Sequence, residues 1–274
     1  MKTFGVLVST MNKRKNELRE LVENMNIKSN AIIVNQIPEK KILFTNEVCG
    51  NKRFISVKDR GLSKSRNLAL QLCSFDICAL ADDDMYYTNN YEKIILDAYS
   101  TYPDADIIAF VVDHENHKKK KKKLKEGSLS LLKTMKIQSV QITFKKSSIA
   151  NKNIVFDNDF GAGSIYPWGE ENIFLFDCKK RGLNIYYVST KIATLIDTNV
   201  SSWSRNNTIE HYNKQGAIYY RMSKFLYPLL IIQFVLRKKS IYSKDLKWYD
   251  VLIAMFCGAK KYKKSEMINY EWFS

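Results

Sequence analysis

The chain has 274 residues, 45% of them hydrophobic, and a formal net charge of +16 at pH 7. It has room for one large domain, or one domain with a small appendage, and enough apolar residues to bury a core, which excludes a disordered polypeptide. Its five cysteines form no Cys-x-x-Cys pair and leave one over, which excludes a disulfide-built scaffold and fits a reducing compartment.

In chain order, residues 3–9 form a continuous apolar run ended by Ser9, Thr10 and Asn12, as expected of a buried central strand, and too short for a signal peptide. Helical spacing follows over 15–25 (Leu18, Leu21, Val22, Met25), then β-branched runs at 31–34 and 53–57. Residues 62–72 are helix-periodic, 76–81 apolar, 90–99 helix-periodic and 106–112 strongly apolar. Strands alternating with helices at this spacing predict βαβ units and a mostly parallel sheet of the α/β class. Regularity lapses over 113–127, which holds a run of six lysines, and 137–144 alternates like a half-buried strand. A loop of glycine, acidic and aromatic residues occupies 156–168, a helix closed by Gly182 spans 170–181, and 184–188 and 191–196 read as two short strands. After Asn206 three helices are expected, over 210–223, 225–239 and 244–257. The longest apolar segment, 225–236, contains Pro228 and Gln233 and is shorter than the about twenty residues of a membrane span.

The charge is uneven. Residues 118–123 carry +6, and from Tyr212 to the end twelve Lys/Arg stand against four Asp/Glu. The positive field therefore sits on a loop and a tail, a pattern that favours an anionic surface, membrane phosphates or nucleic acid, over a basic active site.

Asp82, Asp83 and Asp84 follow the apolar run 76–81 directly. Ligands of open α/β sheets bind beyond the carboxyl ends of strands. Adjacent carboxylates repel, so the cluster needs a cation or a donor network. Mg²⁺ or Mn²⁺, held by one or two carboxylates plus substrate phosphates, meets that need. A solvated loop capping the next helix is the plainer alternative. Just upstream, the stretch from Lys58 to Asn67 reads as a turn opening a helix, with Arg60, Ser63, Arg66 and Asn67 near its start. Such a helix amino terminus is a ready phosphate site. Ser63 as a helix cap and Arg66 as a surface ion-pair partner compete with that reading. His114, His117 and His211 lack metal-ligand spacing to one another, so no structural zinc is expected.

Three segments, RGLSKSRNLAL, FDICALADDDMYY and DFGAGSIYPWGEENIFLFDC, resemble bacterial glycosyltransferase family 2 enzymes of the capsule and cell-surface polysaccharide type. The resemblance runs from VLVSTMN through Ser202-Trp203, about three quarters of the chain. It implies a GT-A fold, a Rossmann-like, mostly parallel sheet flanked by helices over 1–205, followed by a basic helical extension over 206–274. By the same resemblance the DxD motif maps to Asp82 and Asp84, with Asp83 between them. Asp84 is the better ligand for Mn²⁺ or Mg²⁺, and Asp82 and Asp83 border the donor. Arg60, Ser63, Arg66 and Asn67 fall near the nucleotide or its diphosphate, and Ser9, Thr10 and Asn12 at its pocket. Where relatives carry an aspartate that reads the base, this chain has Asn35. The family's second acidic motif becomes Gly169-Glu170-Glu171-Asn172, with Glu171 as base and Glu170 orienting the acceptor or the helix start. Complementing the helix dipole is the bland alternative for both glutamates. Asp159, Gly161, Gly163, Tyr166 and Trp168 would line the acceptor cleft. Asp197 stands where relatives often place a metal-side histidine, and is a weak metal candidate.

The reaction so implied is inverting, metal-dependent transfer of a hexose or N-acetylhexosamine from a nucleotide sugar, a UDP-sugar, to a glycan or lipid-linked oligosaccharide. The tail joins apolar helices to basic clusters, a combination able to rest on an anionic membrane surface. It reads equally as a helical subdomain with solvated lysines. The expected location is cytoplasmic, peripheral to the inner face of the cell membrane. A sugar nucleotidyltransferase and a nucleic-acid-binding protein are the alternatives. No nucleic-acid motif accompanies the charge, so no nucleic acid is expected as partner.

Overall fold

The computed structural model describes residues 2–37, 44–115, 124–196 and 207–271. The strands are β1 (Phe4–Met11), β2 (Asn30–Gln36), β3 (Phe44–Cys49), β4 (Lys52–Val57), β5 (Ile77–Asp82), β6 (Met85–Tyr87), β7 (Ile107–His114), β8 (Gly127–Ser128), β9 (Ile142–Lys145) and β10 (Ile185–Leu195). The helices are α1 (Lys15–Asn24), α2 (Leu62–Leu72), α3 (Tyr91–Thr101), α4 (Leu131–Thr134), α5 (Lys146–Asn151), α6 (Glu170–Lys180), α7 (Ile209–Met222), α8 (Tyr227–Arg237), α9 (Lys239–Tyr242) and α10 (Trp248–Glu271). The chain divides into two compact units, Met1–Val200 and Ser201–Ser274.

In the first unit one ten-stranded sheet runs β3-β4-β2-β1-β5-β9-β7-β10-β6, with β8 paired to β10. The block β4-β2-β1-β5 is parallel, as the alternation of strands and helices predicts. β9 then enters antiparallel to both β5 and β7, so the sheet as a whole is mixed. Period-two geometry explains why β1 is apolar at nearly every position. Val6 and Val8 face a layer containing Leu18 and Leu21 of α1 and Ile95 of α3, whereas Leu7 faces a layer containing Ala69 of α2 and Phe174 of α6.

Three of the predicted segments take another form. The alternating segment 137–144 contains a 3-10 turn, Ser139–Gln141, before β9. There Gln141 accepts from the Gln138 N–H at 2.9 Å and donates to the Phe110 carbonyl at 2.8 Å, so its amide closes the turn. The two short strands at 184–196 are one strand, β10, whose register against β7 shifts between Tyr187 and Ala193. The polar Ser189-Thr190 step that reads as a break is an irregularity within a continuous strand. The last helix runs to Glu271 rather than ending at 257.

That extension passes through Gly258, a residue that ordinarily weakens a helix. In the second unit, a Cβ on Gly258 would lie 1.8 Å from the Asn213 carbonyl oxygen, and one on Gly216 1.8 Å from that of Met255. The two glycines let α7 and α10 cross with their backbones in contact. Gly216→Ala is expected to lower the thermal midpoint, costing about 1–3 kcal/mol or more, because the obstacle is backbone and no rotamer change relieves it. A melting curve unchanged from that of the parent would refute this crossing. Among the described residues no helix is long and apolar enough to cross a membrane.

Candidate active site

The parallel strands end in register. Ser9 of β1 pairs with Val34 of β2 on one side and Asp82 of β5 on the other. The carboxyl edge of the sheet therefore sets Ser9, Thr10, Asn35 and Asp82 in one row, where open α/β sheets bind ligands. Asp83 and Asp84 form the turn leading to β6, and the Asp84 carbonyl accepts from the Ile196 N–H at 2.7 Å. Thr10 Oγ1 donates to Asp83 Oδ2 at 2.5 Å, which ties the turn to β1.

α2 begins at Gly61, whose φ of +132° favours glycine. The Gly61 N–H donates to the buried Gln36 Oε1 at 2.7 Å. One turn on, Arg66 is only 1% exposed. Its Nη2 donates to Asp82 Oδ1 and its Nη1 to Glu170 Oε1, each at 2.9 Å. The guanidinium also lies 5.5 Å from the centroid of the Phe156 ring, which stacks on Phe174. Burial opposes its charge, but Asp82, Glu170 and Glu171 more than offset that and hold its pKa above the ordinary arginine value. This fork joins the acidic triplet to the second acidic motif, 88 residues further on (Glu170 against Asp82). The surface ion-pair role weighed for Arg66 is excluded by its burial.

α6 starts at Gly169, in the left-handed region at φ +91°, with Glu170 and Glu171 in its first turn. Glu171 is partly buried, and Asn172 Nδ2 donates to its Oε1 at 3.1 Å. Burial foremost, then the charge of Glu170 and, more weakly, that of Asp82, pushes its pKa up to about 8, while Arg66 pulls the other way. Glu171 therefore sits in the electrostatic field of the same cluster as Asp82 and Glu170.

The remaining predicted residues divide by what they touch. Ser63 Oγ donates to the Phe160 carbonyl at 2.6 Å, and Asn67 bonds both the carbonyl and the N–H of Phe156 at 2.8 Å. Both were expected near the diphosphate, and both fasten α2 to the 156–168 loop. Ser63 is not the N-cap of α2, because Gly61 holds that position. Gly161 and Gly163 also serve this seam. A Cβ on Gly161 would meet Ser63 Oγ at 3.2 Å and Glu170 Cδ at 3.3 Å, and one on Gly163 would meet Arg60 Cγ at 3.1 Å. Both glycines thus allow a close approach within the protein. Tyr166 stacks on Phe160 at 4.8 Å, its carbonyl accepting from the Gly161 N–H and its N–H donating to the Asp159 carbonyl. Arg60 is exposed, and Trp168 is half-buried on the same loop as Tyr166. Asn12 adopts φ +57° and donates its N–H to the Gln36 carbonyl at 2.8 Å.

Asn35 borders a groove of about 310 Å³ beside the ends of β1 and β2, lined also by Lys13, Arg14, Arg19, Thr45 and Ser56. Its amide clips the chain after β1, donating to the Lys13 carbonyl at 2.8 Å and accepting from the Lys13 N–H at 3.1 Å. Asp197 and residues 118–123 lie outside the described residues. Sequence reasoning missed Gln36, Ser65 and Ser139. Ser65 Oγ donates to Ser9 Oγ at 2.9 Å, and Ser139 Oγ lies 3.4 Å from Asp82 Oδ2. For Gln36 the signal was present, since two adjacent amides ending an otherwise apolar strand are an unusual pair to bury.

A segment of S. aureus TarS, 1-349, solved in complex with UDP-GlcNAc, superposes on this chain with a TM-score of 0.65 at 15% identity, covering 94% of this chain and 81% of that one. The same segment in complex with UDP gives 0.58 at 14% identity over 89% and 75%. A longer S. aureus TarS structure gives 0.59 at 14% identity, with 89% of this chain matched to 44% of that one. The fold is the GT-A glycosyltransferase fold. At this identity the likeness is one of architecture. No family model matches the sequence, and neither does any curated protein. Within this GT-A chain, Arg66, Asp82, Glu170 and Glu171 form one cluster at the carboxyl edge, with the basic groove on the same edge beside β1 and β2.

Proposed function

We propose that the chain is a glycosyltransferase moving a hexose or N-acetylhexosamine from a UDP-sugar to a glycan or lipid-linked glycan acceptor, with inversion at the anomeric carbon. The observation that carries this reading is the Arg66 fork. It brings the post-strand acidic motif and the helix-start glutamates to one side of a GT-A sheet. The solved TarS complexes with UDP-GlcNAc and UDP support a UDP-linked donor.

In this reading the acceptor hydroxyl attacks the anomeric carbon opposite the departing UDP, the bond from that carbon to the diphosphate oxygen breaks, and Glu171 takes the hydroxyl proton. Glu170, locked to Arg66, fixes the first turn of α6 and hence the position of Glu171. The groove beside β1 and β2 takes the nucleoside, and the loop with Asp159, Tyr166 and Trp168 faces the acceptor. Among the described residues no set of three or more His, Cys, Asp or Glu is grouped to hold a metal ion. Asp84 and Asp82 are hard oxygen donors, few in number, and so fit Mn²⁺ or Mg²⁺ that takes its other ligands from phosphate and water. Such a cation would neutralise charge on the leaving diphosphate.

A thermal-shift series of nucleotide sugars with and without Mn²⁺ tests the reading. UDP-sugars should raise the melting temperature in a Mn²⁺-dependent way, and Asp84→Ala should remove the Mn²⁺-dependent part. Release of pyrophosphate from a sugar phosphate and a nucleoside triphosphate would instead identify a nucleotidyltransferase.

A further inference from the structure

We propose that helix α8 lies in the surface of an anionic lipid bilayer, with Phe225, Leu229, Ile232 and Leu236 in the acyl boundary. α8 turns Leu230, Ile231 and Val235 inward, where they are buried. Its other face exposes Leu229 (65%), Ile232 (44%) and Leu236 (72%), and Phe225 just before it is 92% exposed. Leu229, Ile232 and Leu236 follow one another at steps of three and four residues, which is a single stripe on a helix, and Phe225 stands in the turn just before it. Isolated exposed apolar side chains are ordinary, but a stripe of large ones marks a contact surface. The eleven residues of α8 measure about 16 Å, too short to cross a bilayer and long enough to lie in its plane.

Charge selects the occupant. From His211 to Lys244 the sequence holds seven Lys/Arg and no Asp or Glu. Arg237, Lys238 and Lys239 are exposed directly after the stripe. Lys224 precedes it and pairs with Glu266 at 2.7 Å. A rim in which positive charge predominates is complementary to lipid phosphates. Covering the stripe with a second copy of this chain would bring like charges together. The inference is independent of the catalytic reading, since it uses no residue of that site.

Sedimentation of the full chain with phosphatidylcholine vesicles, with or without about one third phosphatidylglycerol, tests it. The chain should pellet with the anionic vesicles, not with the neutral ones, and less as salt rises. Leu229→Ser with Leu236→Ser should weaken that binding about tenfold or more while leaving the melting temperature and any UDP-sugar response unchanged. Lys238→Gln with Lys239→Gln should flatten the salt dependence. Failure of the parent chain to pellet with anionic vesicles would overturn the proposal. Undiminished binding of the Leu229/Leu236 variant would overturn it too, since the attachment would then owe nothing to the stripe. Self-association abolished by the same substitutions, without vesicle binding, would make the stripe a contact between copies.

Discussion

Arg66→Met is expected to unfold on the order of 10 °C below the parent at pH 8. Arg66 is 1% exposed and sits between Asp82 and Glu170, whose side chains are 32% and 7% exposed. Methionine fills much of the volume but leaves Glu170 as a buried carboxylate facing Asp82. Breaking one side of such a buried pair costs about 3–5 kcal/mol, because the remaining charge lacks both water and partner. The loss should shrink as pH falls. Acid removes the unpaired buried charge that the substitution leaves behind, whereas at pH 8 that charge is fully present. Arg66→Lys keeps the charge but lacks the two separate nitrogens with which the guanidinium reaches both carboxylates, so its stability should fall between that of the parent and that of Arg66→Met. Urea or thermal unfolding at pH 5 and pH 8 measures the set. A variant melting within a degree or two of the parent at both values would show that the fork does not hold the site together.

Glu171→Gln is expected to reduce transfer by about 10²–10⁴-fold while leaving the UDP-sugar thermal shift in place, as removal of a general base should. The same substitution has a second signature that does not depend on turnover. Glu171 has an ordinary value of 4.5 and is pushed up to about 8 in the fold, first by burial and then by Glu170. Because the folded form holds its proton more tightly, the stabilisation from protonation is fully present below about pH 4.5 and is lost as pH rises through about 8. Glutamine is isosteric and never ionises. The variant should match the parent in stability near pH 4 and exceed it above pH 8 by an amount on the order of 4 kcal/mol. The free enzyme's kcat/KM should rise with pH toward a limb near 8, since only the ionised carboxylate accepts a proton. Parallel stability–pH curves for the two proteins would remove the electrostatic basis for assigning Glu171 as the base. A transfer rate equal to the parent's would remove the assignment itself.

The elements that were legible in the sequence are those whose signal is local. The apolar run after Thr3, the helical spacing over 62–72 and the glycine after the 170–181 helix locate β1, α2 and α6 to within a residue or two. The elements that were missed are short or unpatterned. β3 is mostly exposed, and β6 and β8 have three and two residues, so none buries a periodic face that a sequence pattern could reveal. The continuation of α10 beyond Gly258 was hidden for a different reason. A glycine inside a helix reads as a stop unless the neighbouring helix is known to need its missing side chain, and that neighbour is Asn213 of α7.

Taken alone, the chain's pattern of apolar and polar residues already dictated an α/β sheet with an acidic turn at a strand end, because burial periodicity and turn chemistry act over a few neighbouring residues. It could not decide which polar residues face a ligand and which hold the protein together. Ser63, Asn67, Gly161 and Gly163 read as binding residues in one dimension, and the fold gives them a structural part as well, in the seam between α2 and the 156–168 loop. Arg66 reads as a phosphate-side cation or a surface ion-pair partner, yet folding removes it from water and sets it between two carboxylates far apart in the chain. Desolvation and ion pairing depend on what the fold brings within a few ångströms, and only the tertiary structure sets those distances.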